Sequence, residues 1–174
     1  MTTVVEGLLP ALRQRLGETV REARIFRGEV WLEIAPEAVV AACRDLRDDP
    51  ALEFRRLSAL TAVDRWPAEP RFEIVYQLYS FRHRAFLGLL ARVHGETGEI
   101  DSLESVFPNA NWHEREVFDM FGVPFRGHSD LRRILMPFDW VGHPLRKDYP
   151  LGYEEVQFSF NAGEIDRRKP YAAE

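Results

Sequence analysis

The chain has 174 residues, 45% of them hydrophobic, and a formal charge of -5, which suffices for one folded domain with a short appendage but not for two full domains. Its acidic balance, with a pI near 5.6, argues against a nucleic-acid partner, because phosphate neutralisation needs a broad basic surface. The single Cys43 excludes an intrachain disulfide and any all-cysteine metal or iron–sulfur site built by this chain alone.

In chain order, Val5, Leu8, Leu9, Leu12 and Leu16 share one face of a predicted first helix over Val4 to Leu16, which Gly7 and Pro10 weaken. No run of roughly 18 apolar residues exists, and the N-terminus lacks the basic start and apolar core of a signal peptide, so the chain is expected to stay where it is made. Ala23 to Phe26 and Glu29 to Ile34 flank the turn pair Arg27-Gly28 as a hairpin would. Pro36 suits the first turn of a helix whose Val39, Val40, Cys43 and Leu46 share a face and which Asp49-Pro50 ends, so Cys43 reads as a small core residue. Three strands follow, Arg56 to Asp64, Phe72 to Ser80 and Arg84 to His94, the last two with clear alternation, and they are expected to pair as an antiparallel meander. A further extended piece falls around Ile100 to Leu103. Asn111 then opens a helix, with Glu114 three residues on as in a capping box and Gly122 at its C-terminus.

Beyond Gly122 the chain is rich in Gly, Pro and His, with one short helical turn expected at Ser129 to Leu135. From Pro150 onward Tyr153, Phe158, Phe160 and Tyr171 lie scattered among charges, as in a tail that drapes over a partner. Charge is uneven: residues 126–149 carry five basic and three acidic side chains, against 15 and 20 for residues 1–125. The expected fold is α+β, a single domain with a mostly antiparallel sheet packed by helices. It divides into a core over 1–125, including a signature helix at 111–122, and a loop-rich interaction segment with its tail over 126–174.

Chemistry-bearing residues concentrate between Asn111 and Tyr149. His113, Glu116 and Asp119 stand at three-residue spacing on one helix, a possible metal half-site that lacks the second carboxylate helix or the second histidine of known helical metal motifs. The alternative is a solvated charged face of Glu114, Arg115, Glu116 and Asp119 over buried Val117, Phe118 and Phe121. The adjoining Trp112, Met120 and Phe125 put those charges beside apolar surface, where they need partners. His128 and His143 each follow a glycine, Gly127 and Gly142. They either present a ligand or base, or hydrogen-bond loop carbonyls and fix the turns. No serine or threonine sits in a nucleophile elbow, so covalent catalysis has no actor.

WHEREVFDMFGVPFRGHSDLRRIL, followed by WVGHPLRKDYPL, resembles the signature of the 30 kDa subunit of proton-pumping NADH:quinone oxidoreductase, respiratory complex I. The likeness is specific over residues 107–151 and looser before them, and Ser129 stands where the family often has proline. The resemblance implies a subunit of the peripheral arm with no cofactor of its own, FMN and iron–sulfur clusters residing in partner subunits. It implies a hetero-oligomer, in contact with the large quinone-site subunit and the iron–sulfur subunits, on the cytoplasmic face of the bacterial inner membrane. Trp112, Glu114, Arg115, Glu116, Asp119 and Gly122 would then be interface and fold-locking residues. So would Gly127, His128, Asp130, Arg132, Arg133, Gly142, His143, Pro144, Arg146, Lys147, Asp148 and Tyr149. A membrane-bound hydrogenase or formate hydrogenlyase would use an equivalent subunit. The reading from another class is a small metal-dependent hydrolase built on His113, Glu116, Asp119 and the loop histidines.

Overall fold

The computed structural model describes residues 4–96 and 98–150, together with 160, 163, 164 and 167; the expectations for Tyr153, Phe158 and Tyr171 lie outside the described residues. Helices α1 (Val4–Leu16), α2 (Val39–Asp48) and α3 (Ala110–Phe121) accompany a five-stranded sheet. Its strands are β1 (Val20–Phe26), β2 (Glu29–Ile34), β3 (Arg56–Asp64), β4 (Phe72–Ser80) and β5 (Ala85–Val93), in the order β1-β2-β5-β4-β3.

Local chemistry builds two sub-assemblies. Arg27 and Gly28 both take positive φ, 51° and 83°, the geometry of a tight turn whose twist suits a hairpin, so β1 folds back antiparallel on β2. β3, β4 and β5 form the expected antiparallel meander. What joins the halves is parallel pairing of β2 with β5, from Val30 beside Leu87 to Glu33 beside Leu90, so the sheet is mixed and only mostly antiparallel.

Alternation decides which face is covered. Val30, Leu32 and Ile34 of β2, Phe72, Ile74, Tyr76 and Leu78 of β4, and Leu87, Leu89 and Ala91 of β5 are almost wholly buried. They meet Leu12 and Leu16 of α1, then Val39, Ala42, Cys43 and Leu46 of α2, and Val117 and Phe121 of α3 in one cluster. These helices therefore lie on one side of the sheet. On the other, Trp31 lies flat over Gly88, where a Cβ would come within 2.1 Å of its ring. Cys43 is a buried core residue, and burial pushes its thiol far up from the ordinary range.

Three expectations need correction. α3 begins at Ala110 with Asn109 as its cap residue and no side-chain cap bond, so there is no capping box: Asn111 donates its amide to Glu104 and Ser129 instead, and Glu114 serves a different loop. Second, Phe125–Arg126 forms a short strand, β7, beside β6 (Ile100–Asp101), although residues after Gly122 read as loop. Third, no helical turn occurs at 129–135, because the amides that would close it donate to a carboxylate of α3.

Candidate functional site

α3 turns Val117 and Phe121 into the core, yet three of its charged residues, Glu114, Arg115 and Asp119, are also buried. The solvated charged face is thus overturned for these three, and only Glu116 of the four is exposed. Buried charge must be met by charge or by hydrogen bonds, since leaving it unmet costs several kcal/mol; Glu114 is met from the segment at 102–103, and Arg115 and Asp119 from the loop at 132–136.

Glu114 accepts the hydroxyl of Ser102 at 2.6 Å and the amide of Leu103 at 2.7 Å. Burial raises its carboxyl above the usual range, against the opposing pull of those bonds and of His128. Nε2 of His128 lies 4.0 Å from this carboxylate. The amide of Asp130 donates to Nδ1 of His128, which puts the imidazole proton on Nε2, and Nε2 donates to the Asn111 carbonyl at 3.1 Å. Arg115, stacked 5.3 Å over the Trp112 ring, donates to the carbonyls of Arg132 and Arg133, each at 3.0 Å.

Asp119 organises the largest piece. Its Oδ2 accepts the backbone amides of Ile134, Leu135 and Met136 at 3.0, 2.8 and 2.8 Å, and Oδ1 accepts Arg133 at 2.6 Å. Burial alone would raise this carboxyl, but the three amides and the guanidinium outweigh it and hold it below the ordinary range. The other end of the Arg133 guanidinium donates to the carbonyls of Trp140 and Gly142 at 2.8 and 2.9 Å. His143 Nδ1 donates to the Asp119 carbonyl at 2.9 Å, and the amide of Leu145 donates to the Met120 carbonyl at 3.0 Å. One carboxylate and one guanidinium thereby close the loop from 133 to 142 onto the C-terminal end of α3.

That closeness requires glycine twice. Gly122 caps α3 at φ 74°, and a Cβ there would meet the His143 ring at 2.5 Å; at Gly142, φ 89°, it would meet the Tyr149 ring at 2.6 Å.

A second brace ties the end of the loop to the sheet. Arg71, just before β4, makes a two-pronged pair with Asp64 at 2.9 and 2.7 Å and another with Asp148 at 2.9 and 2.6 Å. Asp64 also accepts the amides of Lys147 at 2.8 Å and Trp66 at 2.9 Å. Burial pushes its carboxyl up, but Arg71 and the two amides prevail and bring it down to about 2. Arg146 lies over the Phe72 ring and donates to the Gly95 carbonyl at 3.2 Å.

The structure thus brings together Glu114 with His128, Arg115 with Trp112, Asp119 with Arg133 and His143, and Asp148 with Arg71. It separates Asp130 and Arg132, which pair with each other on the surface at 2.9 Å. Gly127 takes positive φ, Pro144 is half-buried, and Tyr149 packs on Gly142. Both loop histidines bond backbone carbonyls, but those of Asn111 and Asp119 in α3 rather than of the loops themselves, so they tie the loops to the helix. Among the described residues no three His, Cys, Asp or Glu side chains group to hold a metal ion, so His113, Glu116 and Asp119 do not converge. Sequence reasoning missed Asp64, Arg71 and Ser102, whose partners lie in remote segments. It also passed over Leu135, Phe138, Val141 and Leu145, all exposed, whose signal was the apolar run of residues 134–141, ILMPFDWV, inside a loop-rich segment.

Fold and site together define a two-layer α+β domain that uses buried charges to hold a shaped surface loop. The sequence model of the family described as respiratory-chain NADH dehydrogenase, 30 Kd subunit, matches residues 32–155. A subunit of the NADH-quinone oxidoreductase of Roseiflexus sp. (strain RS-1) is 48% identical over 167 residues, 96% of each chain. Its counterpart in Herpetosiphon aurantiacus is 44% identical over 165 residues, 94% of this chain and 96% of that one. The chain belongs to this family of respiratory-complex subunits. Two solved structures share the fold. A trypsin-resistant fragment of Nqo5 superposes with a TM-score of 0.59 at 23% identity, over 74% of this chain and all of that one. A chain of the membrane-bound sulfane sulfur reductase, an archaeal respiratory membrane complex, gives 0.68 at 18% identity, over 98% and 96%. No described helix is long and apolar enough to cross a membrane.

Proposed function

We propose that this chain is an architectural subunit, without a cofactor of its own, in the peripheral arm of a proton-pumping NADH:quinone oxidoreductase. It docks against the large subunit that helps form the quinone cavity, on the cytoplasmic face of the membrane, while partner subunits hold the FMN and iron–sulfur clusters. The observation that carries this reading, beyond family membership, is where the signature's acid–base groups are engaged. Asp119 accepts four donors, Glu114 two, and both loop histidines bond carbonyls within the chain. Such groups serve to hold a shape rather than to exchange protons with a substrate. One buried cysteine cannot supply the two to four thiolates that iron–sulfur clusters take. The high identity to subunits named for NADH–quinone chemistry favours that assembly over a hydrogenase-linked one.

The test is to tag the chain at its own locus, solubilise membranes in mild detergent, identify what co-purifies and assay NADH:quinone activity. Recovery of the large subunit, iron–sulfur subunits and activity is expected, with none of that activity in the chain alone. Recovery of hydrogenase subunits, or of the chain by itself, would overturn the reading.

A further inference from the structure

Glu114, Arg115 and Asp119 of the signature face inward, which leaves open what a partner touches. Of the eleven exposed large hydrophobic side chains among the described residues, four lie within one short loop and include the two most exposed: Phe138 is 93% exposed, Val141 86%, Leu135 61% and Leu145 54%. Scattered apolar residues on a surface need no explanation, but a group concentrated on one shaped element does. This loop is not slack. Asp119 holds its amides at 134–136, Arg133 its carbonyls at 140 and 142, and Met120 the amide at 145. The apolar side chains are therefore carried outward on an ordered backbone, so a partner gains their burial without ordering the loop. Three side-chain atoms of the same segment, Asp139 Oδ1, Trp140 Nε1 and Arg146 Nε, are buried without a hydrogen-bond partner among the described residues.

Charge indicates what covers the crest. In a chain of net charge -5 this segment carries an excess of basic residues. The Arg132 side chain is 74% exposed and the carboxylate it meets, on Asp130, is itself half exposed, an ion pair worth little in water; Lys147, later in the same segment, is exposed too. We infer that Leu135, Phe138, Val141 and Leu145 form a preformed apolar crest that inserts into a hydrophobic cleft rimmed by carboxylates on the large subunit, with Arg132 and Lys147 meeting the rim. This rests on the architectural reading above and specifies it: the buried signature charges shape the crest, and the crest makes the contact.

The experiment uses the full chain in its assembly. Strains carry the tagged wild type or the double variant Phe138→Asp, Val141→Asp, and the large subunit recovered per tagged chain is quantified. A third strain carries a photo-crosslinking amino acid at position 138. At least a tenfold loss of large subunit is expected for the double variant, with the melting temperature of the purified chain unchanged, and a cross-link from position 138 to the large subunit. Equal recovery by wild type and double variant, or a cross-link to this chain's own residues 151–174 or to a second copy, would overturn the crest while leaving the functional reading intact. Failure of the wild type itself to recover the large subunit would overturn both. Should the double variant melt lower, the cross-link decides alone.

Discussion

The sheet and the loop that follows α3 are ordered by opposite means. In the sheet, Leu87, Leu89, Ile74 and Leu78 are held because water is excluded from apolar side chains that alternate along each strand. In the loop from 131 to 149 four large apolar side chains, Leu135, Phe138, Val141 and Leu145, stand exposed, and order comes from Asp119, Arg133, Arg71 and Asp64, each binding several partners at once. The first kind of order is redundant and non-directional. The second is sparse and geometric, so a single side chain carries much of it, and the loop keeps its apolar residues available.

Mutations that separate these two kinds of order should differ in reach as well as size. Arg71→Met leaves the buried Asp64 carboxylate without its counter-charge and should cost about 3–5 kcal/mol, seen as a lower urea midpoint; because Arg71 joins both regions, sheet and loop should loosen together. Asp119→Ala orphans three amides and Arg133, a loss of about 3 kcal/mol. Hydrogen exchange should then accelerate across 131–145 while β4 and β5 stay protected, and uniform acceleration would show that the loop is not a separable unit. Leu89→Ala should cost about 2–5 kcal/mol with the reverse signature, lowering every protected amide alike.

Acid should act through the braces before it reaches the core. The Asp64 carboxyl is held at about 2, below the ordinary 3.8, so its contribution is complete above about pH 4 and is lost as pH falls toward 2. At about 1.4 kcal/mol per pH unit this is roughly 2 kcal/mol, and unfolding midpoints of Asp64→Asn should lack that part of the pH dependence. The smallest effect belongs to Tyr76→Phe. The Tyr76 hydroxyl is buried with no partner among the described residues, so its removal should leave stability unchanged or raise it by up to about 1 kcal/mol.

The same contrast explains what was legible in the sequence. Alternation from Phe72 to Leu78 and the Arg27-Gly28 turn announce their own structures, because the forces involved act between neighbours in the chain. The stripe of Val39, Cys43 and Leu46 does so for α2, and Gly122 for the end of α3. Burial of Glu114 and Asp119 was not legible: their partners sit at Ser102, Leu103 and 133–136, and a charged residue that will be matched from afar looks the same in sequence as one facing water. The turn expected at Ser129 to Leu135 failed for that reason, since Asp119 takes the amides that a local helix would have used. Pairing of Ile100 with Phe125 was hidden in the same way, two residues being too few to show a period.

The parallel seam between β2 and β5 sets an order in time. Val30 must wait for Leu87, whereas the hairpin and the meander each close between segments made in succession. At the usual pace of synthesis, about 5–20 residues per second, β1, β2 and α2 emerge seconds before the strand that gives them a neighbour. Pulsed hydrogen exchange during refolding should accordingly find β3 to β5 protected before β2, since closing a long loop is slow. During those seconds the apolar stripe of α2 has no sheet of full width to cover, and the youngest half of the domain governs when the oldest half becomes safe from aggregation.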